Sequence, residues 1–336
     1  MANPVLAEIT RGPLVESAHR GAVHVVDADG GVVLSLGDVG RPIYPRSAIK
    51  GLQALPLVES GAVERFGLGD AELALACASH NGEPAHTATA AGMLASAGRS
   101  VADLECGWHW PNLHPPAAHD LARSGQVPSA LHNNCSGKHA GFVCLACASG
   151  LEPAGYVAPS HPVQRLVAEA ISDATGHPID ATSPVGIDGC QAPNWALPLD
   201  RLALGFARFA TGHGLGASRA RAAARLRAAV AARPDMVAGT GRFDTEAMGL
   251  LGAKAFLKVG AEGVYCAALP EAGFGIAIKI DDGATRAAEV AVAAVLARLL
   301  AMSDMERVSF QRLVTPETRN WNGIVTGGAR PAGALA

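Results

Sequence analysis

The chain is short of charge. Only 17% of its 336 residues are Asp, Glu, Lys or Arg, and the formal balance is −3. No stretch gathers Lys and Arg into a basic patch, which argues against a nucleic-acid partner and leaves a small, uncharged or zwitterionic one easier to accommodate. Long apolar runs are missing too. The longest, near Ala222–Ala232 and Ala287–Met302, are interrupted by arginines or acids and do not read as membrane spans. The first twenty residues carry Glu8, Arg11 and Glu16 and no apolar signal core, so a cytoplasmic location is expected. The seven cysteines are an odd number without framework spacing, which predicts reduced thiols and not disulfides. There is no internal repeat and no long linker. With 49% hydrophobic residues the chain is ample for a sizeable core in one large or two closely packed domains.

What is present centres on Pro45-Arg-Ser-Ala-Ile-Lys50. Ser47 and Lys50 stand at Ser-x-x-Lys spacing, and Ile49, Leu52 and Leu55 recur at helical intervals towards Val58, broken only by Pro56. The pattern predicts a helix with Ser47 in its first turn and Lys50 on the same face. A serine hydroxyl is a weak nucleophile until a base takes its proton, and an amine kept neutral by burial or by a neighbouring cation is such a base. The orphan N–H groups of a helix start also suit a developing oxyanion. The plainer reading of the same residues is a helix cap followed by a solvated lysine.

Around this stretch, β-branched runs predict strands over 5–10, 14–17 and 22–27, and Asp29-Gly30-Gly31 turns the last into a hairpin with 32–36. A second hairpin is expected over 263–269 and 274–280, followed by a helix over 286–302. Between them, helical patterns alternate with Pro- and Gly-rich loops. The expected fold class is α/β in the α+β sense. An antiparallel sheet built from both termini, with flanking helices, takes 1–70 and 240–330. An inserted helical lobe takes 71–239, and a cleft lies between the two. The Gly/Ala/Pro-rich end from Thr326 to Ala336 reads as a loose tail.

Other polar clusters have two readings each. Cys77-Ala-Ser-His-Asn-Gly-Glu-Pro84 is either a helix cap and turn, or a cleft loop with Ser79 as a second hydroxyl and Asn81 and Glu83 as substrate contacts. His132-Asn-Asn-Cys-Ser-Gly-Lys-His139 brings more donors and acceptors to a helix start than capping requires. Cys135, and Cys190 in Gly186-Ile-Asp-Gly-Cys190, are loop thiols of the type that ligates zinc, although the usual four-ligand spacing is absent. Cys144 and Cys147 fall inside an apolar helix and read as core packing. Lys258-Val-Gly260, leading into a strand, is similar to the Lys-Thr-Gly element of penicillin-recognising serine enzymes, where the lysine lines the cleft beside the Ser-x-x-Lys helix. Its plain alternative is an exposed loop lysine.

In this order the blocks resemble the rhizobial-type (class 3) L-asparaginases, also labelled asparaginase II, which are similar in fold to serine β-lactamases and serine-dependent glutaminases. The resemblance runs from Glu16-Ser17 to Arg319-Asn-Trp-Asn-Gly323 and includes the five blocks above, the last extended to Lys258-Val-Gly-Ala-Glu-Gly263. It implies hydrolysis of L-asparagine to L-aspartate and ammonia by two Ser–Lys tandems, Ser47 with Lys50 and Ser79 with Lys258. Helix position favours Ser47 as the nucleophile. The resemblance also implies one zinc ion per chain, held by Cys135, Lys138 and Cys190 and assisting substrate binding more than chemistry, and a homodimer. A lysine ligand must lose its proton to bind metal. Candidate substrate contacts are Arg46, Asn81, Glu83, Asn133, His139 and Asp188. The nearest rival is a glutaminase or broader serine amidase in the same cleft. A β-lactamase-like hydrolase lacks a Ser-Asp-Asn equivalent here, and a non-catalytic zinc or amino-acid binding module would leave the serine and lysine pairs without a purpose.

Overall fold

The computed structural model describes residues 2–336. Val5–Arg11 and Leu14–Asp27 form an antiparallel hairpin. The second is one continuous strand where two were expected. Its middle, Ala18 to Gly21, keeps extended backbone because Ala18 and His19 pair with Glu8 and Ala7 on one side, and Gly21 pairs with Ile280 on the other. The sheet runs in the order Glu317–Arg319, Val325–Pro331, Val5–Arg11, Leu14–Asp27, Phe274–Ile280, Val264–Leu269, Phe256–Val259, with Val32–Leu36 also bonded to Leu14–Asp27. Every neighbouring pair is antiparallel. The sheet is therefore assembled from both ends of the chain, as the strand patterns at both ends predicted.

Two stretches differ from expectation. Thr326–Ala336 is not a loose tail: Val325–Pro331 pairs along Val5–Arg11, from Arg11 opposite Gly327 to Ala7 opposite Pro331. Its glycines reflect crowding. A Cβ on Gly327 would lie 1.9 Å from the Thr10 carbonyl oxygen. The helix expected over 48–58 is three short pieces, a 3-10 turn Arg46–Ile49 and helices Lys50–Gln53 and Leu55–Glu59. Pro56 sits at the start of the last piece, where a missing N–H costs nothing.

Every residue of Val264–Leu269, the strand next to the Phe256–Val259 edge, is buried, so both faces of the sheet are covered there. Helices Leu199–Thr211 and Thr285–Leu299 lie against it. The first comes close because Gly275 has no side chain. A Cβ there would meet Ala203 O and Ala207 N at 2.1 Å. Away from the sheet, helix Ser136–Ala148 is buried on all sides from Ser136 to Ala146, packed by Asp70–Ala76 and Pro84–Ser96. That all-round burial carries Lys138 and His139 into the interior. Among the described residues no helix is long and apolar enough to cross a membrane.

Candidate active site

Ser47 lies in the 3-10 turn Arg46–Ile49, and the Lys50 N–H closes on the Ser47 carbonyl. Residues three apart eclipse in such a turn, so the two side chains share a face. Ser47 is half-buried, whereas Lys50 is buried. The Lys50 amine reaches past Ser47. Nζ is 2.5 Å from Ala78 O, 3.0 Å from Ser79 Oγ and 3.1 Å from Cys135 Sγ. An ammonium has three donors and no acceptor, and these partners match that number.

Ser79 is buried, its N–H bonded to Val237 O at 2.9 Å. Its hydroxyl meets a second amine. Lys258 Nζ is 3.0 Å from Ser79 Oγ and 2.8 Å from Val259 O. Ser79 thus bridges two lysines. Burial pushes the Lys258 amine down to about 7; the Lys50 and Arg242 charges act the same way, and Asp244 opposes them. A neutral amine keeps a lone pair, so Lys258 can give an N–H to Val259 O and accept the Ser79 hydroxyl proton. Lys258 owes its place to the strand Phe256–Val259, four buried residues of which the sequence showed no separate strand. Lys254, four positions earlier, faces elsewhere and pairs with Glu306 at 2.7 Å.

Arg46 adopts φ = 53°, a left-handed conformation that costs a side-chain-bearing residue about 1–2 kcal/mol. Its N–H reaches Asn194 Oδ1 at 3.3 Å, and its guanidinium bonds Asp188 Oδ1 at 3.0 and 2.7 Å. Burial alone would push the Asp188 carboxyl up, but the Arg46 guanidinium outweighs it and holds the carboxyl below its ordinary value. Asp188 stands in the loop of the short hairpin Val185–Ile187 and Pro193–Trp195, which also carries Cys190.

Cys135 precedes helix Ser136–Ala148, and Lys138 Nζ is 3.2 Å from Cys190 Sγ. The Cys135 thiol donates to Asn134 Oδ1 at 3.3 Å. The neighbouring Cys135 and the Lys138 charge pull the Cys190 thiol down, against burial, while Cys190 and burial push Cys135 up. Burial works against the Lys138 ammonium, but the cysteine charges outweigh it and raise its proton affinity. Two sulfurs and an amine are a soft donor set that suits zinc, provided Lys138 and Cys135 give up their protons. Among the described residues no group of three or more His, Cys, Asp or Glu is arranged to hold a metal. The third donor of this set is an amine.

The remaining candidates divide in two. Asn81 gives its amide N–H groups to Glu83 Oε1 at 3.0 Å and Thr240 O at 3.1 Å, and its oxygen accepts from Arg242 at 3.2 Å. Glu83 accepts from Thr240 N at 3.0 Å. Asn133 bonds Cys106 O at 2.8 Å and Cys135 N at 2.9 Å. All three tie loops together within the protein. His139 differs. Tyr156 OH accepts from Glu105 N at 2.9 Å and meets His139 Nδ1 at 2.7 Å, and the assignment that uses every group makes Tyr156 the donor. His139 Nε2 then carries a proton, and it is buried without a partner. Burial, assisted by Lys138, holds the ring neutral.

Sequence reasoning missed Asn194, Arg242, Asp244 and Tyr265. The first three adjoin recognised side chains, and Gly239-Thr-Gly-Arg-Phe-Asp244 is a polar, Gly-rich turn before an apolar helix. That is the signal that singled out the other blocks.

Residues 7–331 match the family model described as L-asparaginase II. No curated protein matches. Among solved structures, a β-lactamase from Mycobacterium bovis is similar at 15% identity, with 83% of this chain and 95% of that one covered and a TM-score of 0.41. A protein described as a β-lactamase from Bacteroides dorei is similar at 16% identity, covering 77% and 84% of the two chains, with a TM-score of 0.38.

Proposed function

The chain belongs to the L-asparaginase II family and is an amidohydrolase, and from that premise we propose that it hydrolyses the side-chain amide of L-asparagine through a serine acyl-enzyme. The observation that carries the mechanism is Ser79 Oγ held 3.0 Å from both Lys50 Nζ and Lys258 Nζ. A buried hydroxyl shared by two amines suits a proton relay, and half-buried Ser47, on the same face as Lys50, suits attack on a bound substrate. Ser47 Oγ bonds to the carboxamide carbon and loses its proton to the amine pair. The C–N bond breaks, the proton returns to the leaving ammonia, and water then releases aspartate from the ester with the same groups acting in reverse. Lys258 holds or returns a proton near neutral pH, as an acid–base group matched to that range does.

Asparagine brings an α-ammonium and an α-carboxylate. Asp188 and Arg46 offer the matching charges, and His139 Nε2 offers an N–H without a partner. Cys135, Lys138 and Cys190 would hold a zinc ion, which when bound supplies positive charge beside the substrate site. The test is ammonia release from L-asparagine and L-glutamine by wild type, Ser47→Ala and Ser79→Ala, with mass spectrometry of trapped acyl adducts. The expected result is asparagine-dependent release lost in Ser47→Ala and an adduct on Ser47. An adduct on Ser79 would exchange the two serines' roles, and equal release from glutamine would widen the substrate to both amides.

A further inference from the structure

Lys258 does not stand alone at the end of its strand. Asp244, the second residue of helix Phe243–Leu251, is buried beside it. Its Oδ2 accepts the Val259 N–H at 3.1 Å, and its Oδ1 accepts the Tyr265 O–H. Val259, on the edge strand, and Tyr265, on the strand next to it, face each other. The carboxylate therefore clamps both strands at the residue following Lys258. The carbonyl of Val259 in turn receives the Lys258 amine at 2.8 Å. One residue, Val259, is held by Asp244 at its N–H and holds the Lys258 amine at its carbonyl oxygen.

We propose that Asp244 is a positioning residue for Lys258, fixing through Val259 the strand end from which the amine reaches Ser79. The other titratable groups near the amine are Lys50, Arg242 and Cys135, with the buried Cys77 and Cys266 thiols alongside. Glu289, on helix Thr285–Leu299, faces Asp244, and burial with that neighbouring charge pushes its carboxyl up to about 7. Burial drives the Lys258 amine down and Asp244 is the strongest opposing influence, so losing that charge lowers the amine further.

The inference rests on the Ser–Lys reading, and two measurements separate their failures. The protein has five lysines, few enough for a titration by NMR of lysine-selective 13C label, with Lys258→Met assigning the signal. Asp244→Asn keeps an acceptor and removes the charge. The Lys258 midpoint is expected to fall by about one pH unit or more, with Asp244→Glu closer to wild type. The acid limb of kcat/KM for asparagine moves the same way. In Asp244→Ala, kcat falls at least about tenfold while KM changes little, since orientation is lost and substrate contacts are not. An unmoved Lys258 midpoint in folded Asp244→Asn overturns the inference. A midpoint that moves while the kcat/KM limb stays upholds it and removes Lys258 from the titrating step. Should Asp244→Asn not fold, Tyr265→Phe frees one of the two tethers and leaves the charge. A lowered kcat at unchanged KM is then expected, and wild-type kcat overturns the positioning role.

Discussion

Lys258→Met keeps most of the side chain's length and removes its amine. In the unfolded chain that amine keeps its proton up to about pH 10.4; in the folded protein burial pushes it down to about 7. Between these values the unfolded state binds the extra proton, so wild-type stability rises with pH across the window. Below the folded value both states are protonated, and the cost of a buried ammonium is present in full. One titrating group gives a slope of at most about 1.4 kcal/mol per pH unit, or about 2.7 kcal/mol between pH 7.5 and 9.5. Asp244 and Glu289 share the same buried field, so this is an upper figure. The methionine variant lacks this contribution. It is expected to be the more stable protein at pH 7, with its advantage shrinking by about 1–3 kcal/mol up to pH 9.5. Chemical denaturation of both proteins at several pH values and equal concentration measures it. Parallel stability curves would mean that Lys258 has no depressed proton affinity, and the relay argument would lose its base.

Arg46→Gly and Arg46→Ala both lose the pair with Asp188, but only glycine relieves the φ of 53°. The glycine variant should be more stable by about 1 kcal/mol, and equal unfolding midpoints would deny the strain. Gly137→Ala places a Cβ 2.3 Å from Leu75 O, pressing helix Ser136–Ala148 away from Asp70–Ala76. A loss of about 1–3 kcal/mol is expected by thermal or denaturant unfolding, and an unchanged midpoint would refute the packing argument. Metal analysis should find about one zinc per chain in wild type and little in Cys190→Ser, with proton release on uptake measured in weak buffer. Wild type that stays metal-free in excess zinc would rule out this donor set.

Local patterns were legible where a residue's neighbours in sequence are also its neighbours in space. The hairpin through Asp29-Gly30-Gly31 and the hairpin of Val264–Leu269 with Phe274–Ile280 follow from turn residues and strand patterns. The polar blocks around Ser47, Ser79, Cys135, Cys190 and Lys258 stood out because such side chains interrupt apolar patterns, and the structure brings parts of all five together.

What was not legible depends on distant partners. Ser47 and Lys50 are close in sequence, yet the amine bonds Ser79, and only packing of the Cys77–Pro84 loop against the first helices decides that. Phe256–Val259 is too short for a periodic signal and becomes a strand because Val264–Leu269 offers it an edge. The glycines of Val325–Pro331 look like a flexible tail until Val5–Arg11, more than 300 residues earlier, makes them a crowded strand. Asp244 carries no sign in the chain that it will face Lys258. The sequence alone determined which residue types were available and where the local turns and helices fall, because those depend on interactions a few residues long. The tertiary structure decided which serine meets which lysine and how acidic each amine and thiol becomes, because burial and charge proximity are set by chain segments that only folding brings together.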